Sequence, residues 1–158
     1  MERFSVGEIV EQAVQTEKLG YAFYTSLAKR FEKDGKLNKL FQSLALKERV
    51  HEKVFSGLKG RVKDAEPENR EEVSRYLRAI VESEFFLGKD KFLPLLEQVK
   101  TTMEAVTCAL GFEKETLLYF YVLRDVVGEK DIVGSIIEEE KTHIRQLSEM
   151  KRELGTGE

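Results

Sequence analysis

Both histidines of this chain follow a glutamate by three residues: Glu48-Arg-Val-His51 and Glu140-Lys-Thr-His143. On an α-helix, residues three apart stand one above the other on the same face. Each pair therefore offers a carboxylate and an imidazole to one point in space, which is half a ligand set for a first-row transition metal. Two half-sets suggest two metals. The alternative is two ordinary exposed i,i+3 contacts, and the surrounding pattern has to decide between them.

That pattern is helical and places both pairs inward. Ser5-Val-Gly-Glu8 has the form of a capping box, in which each end satisfies a free N–H of the other. Ile9, Val10, Ala13, Tyr21, Tyr24, Ala28 and Phe31 follow at three- and four-residue intervals and predict an amphipathic helix over 5–33. Glu17 falls inside that stripe, where a carboxylate is costly unless it is paired or coordinates a metal. Asp34-Gly35 reads as the stop. A second helix, 36–59, carries Leu37, Phe41, Leu44, Phe55 and Leu58 in one row with Glu48 and His51, and Gly60 reads as its close.

Thr101 or Thr102 caps a helix over 102–127, with Glu104 placed to complete a capping box after Thr101. Its inner face is Val106, Ala109, Leu110, Leu117, Phe120 and Tyr121, and Glu113 interrupts it as Glu17 interrupts the first. After Gly128 a last helix, 129–154, carries Val133, Ile136, Leu147 and Met150, with Glu140 and His143 in the stripe. Residues 61–100 begin polar, with Pro67 at an expected helix start. They read as two shorter helical pieces, the second with Pro94, around a break at Leu87-Gly-Lys-Asp90. Glu82 and Glu84 are two apart, share no face, and are read as solvated.

The two ends form an internal repeat. Ala13-Val-Gln-Thr-Glu17-Lys18 matches Ala109-Leu-Gly-Phe-Glu113-Lys114, as Glu48-x-x-His51 matches Glu140-x-x-His143. At about 1.5 Å per residue, Glu17 and Glu48 both lie roughly 20–26 Å from the Asp34-Gly35 turn. Glu113 and Glu140 bracket Gly128 at a similar level. The expectation is an all-α fold: an antiparallel four-helix bundle of hairpins 5–59 and 101–154, joined by a helical crossover over 61–100. Residues 1–158 are expected to make one domain. A crossover of this kind also lets two chains exchange hairpins, so a homodimer is consistent with the pattern.

Composition narrows the function. The formal net charge is −3, which gives no reason to expect nucleic-acid or membrane partners. No run approaches membrane-spanning length, the first residues lack an apolar signal core, and the chain is expected to be cytoplasmic. Cys108 is the single cysteine, so neither an internal disulfide nor a Cys-x-x-Cys metal site can form. Its Lys/Glu richness hints at a thermophile.

Four glutamates from four helices with two Glu-x-x-His motifs form the di-iron carboxylate pattern. The chain resembles the rubrerythrin family of ferritin-like proteins over about 5–59 and 101–154. The resemblance rests on Glu17-Lys-x-x-x-x-Phe-Tyr24, Leu44-Ala-x-x-Glu48-x-x-His51, Ala109-x-x-x-Glu113-Lys114 and Glu140-x-x-His143. It implies two irons bridged by Glu48 and Glu140, with Glu17, His51, Glu113 and His143 as terminal ligands; Mn or Zn could take the same N/O set. It also implies that Tyr24 and Tyr121 are buried beside the site and orient its carboxylates, the plain alternative being core aromatics. Glu115, Glu138 and Glu139 are expected outside the ligand set.

The implied activity is reduction of hydrogen peroxide with electrons from an external protein such as a rubredoxin, because one cysteine cannot make a thiolate-ligated iron site. Ferroxidation or iron handling with O2, and a bundle with a structural metal, are the alternatives. The chain departs from the family at Thr116, where the family places a second glutamate one turn beyond the first.

Overall fold

The computed structural model describes residues 5–62, 70–81 and 96–156. Every regular element among them is an α-helix: α1 (Val6–Arg30), α2 (Gly35–Val62), α3 (Arg70–Val81), α4 (Thr102–Val126) and α5 (Lys130–Gly155). None is long and apolar enough to cross a membrane. Pro67, Glu82, Glu84, Leu87-Gly-Lys-Asp90 and Pro94 lie outside the described residues, as do parts of the 61–100 expectation. Within it, α3 packs on α4, and residues 96–98 form a helical turn before Val99.

The helix starts follow the sequence signals. The Ser5 hydroxyl accepts from the Glu8 N–H at 3.1 Å, and the Thr101 hydroxyl accepts from the Glu104 N–H at 3.1 Å. The first turn is longer than expected and begins earlier. α1 ends at Arg30, with the Phe31 N–H on the Leu27 carbonyl, and Asp34 starts α2 instead of stopping α1. Its carboxylate accepts from the Leu37 N–H, while the Asn38 amide of α2 donates back to the Ala28 carbonyl of α1 at 2.6 Å. The hairpin thus closes on its own end groups. Gly60 does not close α2, which continues to Val62. A glycine cap needs left-handed backbone, which Gly60 does not adopt, and Val62 gains contact with the apolar cluster beyond it.

The core is split in two along the bundle axis. One cluster joins the start of α1, the end of α2, the end of α4 and the start of α5, through Ile9, Phe55, Phe120 and Val133 among others. The other joins the opposite ends, through Phe23, Phe41, Val106 and Leu147. Adjacent helices therefore run antiparallel, while α2 and α4 run parallel. The connection between those two must travel the length of the bundle, which is why the segment between the hairpins is long. Between the clusters lies a belt of buried polar side chains: Glu17, Glu48, His51, Glu113, Thr116, Glu140 and His143.

Candidate metal centre

Each helix delivers its polar residue by its apolar period. In α2 the inward row runs Leu37, Phe41, Leu44, Glu48, His51, Phe55, Leu58, alternating four- and three-residue steps. In α5 it runs Val133, Ile136, Glu140, His143, Leu147, Met150. A helix cannot turn two of these positions outward while the rest stay buried. The four glutamates are accordingly 0% exposed. The effective cost of burying an ion is several kcal/mol even after relaxation, so four unneutralised carboxylates are not a tolerable core.

The six residues named from sequence are brought together. They fall into two groups whose potential ligand atoms lie within 4.8 Å of one another: Glu17, Glu48, His51 and Glu140, and Glu48, Glu113, Glu140 and His143. Glu48 and Glu140 belong to both. The His51 and His143 rings stack with centroids 6.1 Å apart. His51 Nδ1 lies 3.1 Å from Glu140 Oε1 and 3.5 Å from Glu17 Oε1, and His143 Nδ1 lies 3.6 Å from Glu113 Oε1. These approaches lack the alignment of hydrogen bonds. Of eleven buried side-chain N and O atoms without a hydrogen-bond partner among the described residues, nine belong to these six residues. Orphaned donors and acceptors facing one volume are what a cation would satisfy, and four carboxylates match the charge of two divalent ions. The cluster can hold metal.

Without metal, protons must do that work. Burial, opposed by the approach of His51, pushes the Glu17 carboxyl up to about 8. Burial and the neighbouring Glu140 charge hold Glu113 well above the usual carboxylate range. Burial would push Glu140 up as well, but contacts from Glu113, His143 and His51 outweigh it and keep that carboxylate ionised. Burial alone would lower both imidazoles. Glu140 and Glu17 instead raise His51 to about 11, and Glu113 and Glu140 raise His143 to about 9. Among these five groups the result is one ionised carboxylate, Glu140, held between two cationic rings and two neutral acids.

Around the six sit two further contacts. The Tyr24 hydroxyl, fully buried, donates to Glu113 Oε1 at 2.6 Å, and burial followed by the Glu113 charge keeps the phenol protonated. On the far side of His51, Nε2 is hydrogen-bonded to Glu139 Oε2, which leaves Nδ1 facing the cluster. Lys47 approaches the other oxygen of Glu139 at 3.6 Å. Glu139 is outside both ligand groups, as expected, but it orients one of their members, which the sequence reading missed. No local pattern marks it, since the contact is made between α2 and α5. Glu115 is buried yet belongs to neither group, and Glu138 is exposed beside Lys141.

Tyr121 requires correction. It does not face the cluster; its half-buried ring lies under Arg124 and near Lys141. The fully buried tyrosine of α4 is Tyr119, which donates to the Ile9 carbonyl at 2.6 Å in the cluster near the α4–α5 turn. Tyr119 and Tyr121 are two residues apart and so point to different sides of the helix.

Comparison with known proteins agrees with this geometry. The Rubrerythrin family model matches residues 8–151. A solved structure from Thermotoga maritima, described as a ferritin-like diiron-carboxylate protein, matches with a TM-score of 0.72 at 28% identity. The match covers 97% of this chain and 98% of that one. No curated protein matches the sequence.

Proposed function

The chain belongs to the rubrerythrin family, and from that premise we propose that it is a di-iron oxidoreductase that reduces hydrogen peroxide with electrons from a separate protein. Glu48 and Glu140, shared by the two ligand groups, would bridge the ions. Glu17 and His51 would complete one side, and Glu113 and His143 the other. Iron suits mixed carboxylate and imidazole ligation, and Mn or Zn could occupy the same donors. The observation that carries the reading is the set of nine orphaned ligand atoms facing one buried volume.

Two bound irons would supply two electrons at one place, the stoichiometry of H2O2 + 2H⁺ + 2e⁻ → 2H2O. The protein contributes the setting. Tyr24 fixes one Glu113 oxygen by donating to it, leaving Oε2 free to bind. Glu139 accepts from His51 Nε2 and so holds the ring with Nδ1 toward the cluster. The apolar clusters above and below exclude bulk water, which strengthens every charge interaction in the belt. Re-reduction needs an outside donor, because a chain with Cys108 alone cannot hold a thiolate-ligated iron.

Thr116 favours a second reading, oxidation of iron with O2 in iron handling. A threonine hydroxyl at that position cannot replace a carboxylate as an additional ligand. Rapid mixing of anaerobic, iron-loaded protein with peroxide and, separately, with O2 distinguishes the two. Faster oxidation by peroxide, followed by repeated turnover with a rubredoxin and its reductase, supports the peroxidase. Faster oxidation by O2 moves the assignment to ferroxidation.

A further inference from the structure

We propose that Gly20 is a positioning residue for Glu48: the opening it leaves on α1 lets that carboxylate serve both ligand groups. The inference rests on the two-metal reading and adds a residue that would touch neither metal.

Gly20 lies in the interior of α1, buried, three residues after Glu17 and four before Tyr24. Glycine is among the poorest helix formers, so its presence there asks for a reason. Conformational freedom is not the reason, since its backbone is ordinary right-handed helix. Space is. A Cβ built on Gly20 would stand 2.9 Å from both Cδ and Oε2 of Glu48, and 3.0 Å from the Phe112 ring edge. Three glycines inside the other helices show no such crowding: at Gly60 and Gly134 a Cβ would meet nothing within 4 Å, and at Gly57 only the Arg61 guanidinium at 3.6 Å.

The neighbour that fills this opening is one of the two carboxylates common to both groups. The repeat offers no second opening of this kind. Three residues after Glu113 stands Thr116, buried and with its hydroxyl unpartnered, so only the α1 side presents bare backbone. A methyl at position 20 cannot coexist with the Glu48 carboxyl where it stands, and Phe112 blocks retreat on the other side. The least costly response is for the flexible Glu48 carboxyl to swing away. The helix then survives, and the shared ligand is lost from its place.

The test is titration of the full-length apo-protein with Co(II), following the visible absorption of the bound ion and the heat of binding. It compares wild type, Gly20→Ala and the control Gly134→Ala. Wild type and Gly134→Ala are expected to bind two Co(II) per chain with the same spectrum. Gly20→Ala is expected to keep its helicity, to bind the second Co(II) at least about tenfold more weakly, and to show an altered spectrum. Two equally tight ions with an unchanged spectrum in Gly20→Ala would overturn the inference alone. Failure of wild type to bind two would overturn the two-metal reading with it. If Gly20→Ala does not fold, the double variant Gly20→Ala/Glu48→Ala decides: recovered folding supports the clash with Glu48, and continued failure refutes it.

Discussion

Loading the centre with divalent metal at pH 7 should expel at least four protons per chain. Glu17, pushed up to about 8, Glu113, held well above its usual range, His143, raised to about 9, and His51, raised to about 11, each carry one in the metal-free cluster. A carboxylate or imidazole nitrogen that ligates a cation must surrender it. His51 can do so at Nδ1 while keeping the Nε2 proton on Glu139. Two protons per metal make each apparent affinity rise about a hundredfold per pH unit below pH ~8. For the pair that is about 5 kcal/mol per unit, at about 1.36 kcal/mol per proton. The metal-free protein should respond in the opposite sense. Glu17, His143 and His51 have folded pKa values above their unfolded ones, so the folded state binds more protons. Their stabilisation is fully present below the unfolded values. It fades over pH 4.5–8 for Glu17, 6.5–9 for His143 and 6.5–11 for His51. Calorimetric Zn(II) titration in two buffers of different ionisation enthalpy counts the protons, and thermal melts in chelator at pH 6 and pH 9 report the apo trend. Proton release near zero, or an apo Tm that rises from pH 6 to pH 9, would refute the reasoning.

Three further outcomes rest on side-chain contacts. Tyr24→Phe removes the donor to Glu113 and should cost the metal-free protein about 1–3 kcal/mol in urea denaturation; an unchanged midpoint would mean that the hydroxyl holds nothing. His51→Ala should lower metal content, by elemental analysis, far more than substitution of its neighbour Glu52, which belongs to neither ligand group, by Ala, and Glu139→Ala should weaken metal binding about 10–100-fold. Equal effects at His51 and Glu52 would count against the ligand set.

The helices and the six clustered residues were legible because one periodicity encodes both. In α2 and α5 the polar pair occupies steps of the same apolar ladder, so burying the leucines buries Glu48, His51, Glu140 and His143 with them. α4 was harder to read. Leu117, Tyr119, Phe120, Tyr121, Val122 and Leu123 make that stretch apolar nearly all round, so spacing could not say which tyrosine faces inward. Glu139 was missed for a different reason: its contact with His51 depends on the spacing of α2 and α5, which no local pattern carries. The end of α2 failed on backbone conformation, since a glycine permits a left-handed cap without requiring one.

The sharing of Glu48 and Glu140 bears on how such a chain could arise. Each ligand group takes three members from one hairpin and a single carboxylate from the other. One short hairpin gene, expressed alone, would encode a peptide lacking only the ligand that a second copy of itself supplies. Two such peptides related by a two-fold axis would build both groups at once, so metal binding would reward their pairing. Joining the copies in tandem then demands only a connection from the end of α2 back to the start of α4. The two halves of this chain are no longer identical: Lys47 stands opposite Glu139 in the repeat, and Gly20 opposite Thr116. The two-fold symmetry holds in the ligands and is broken in the residues that hold them.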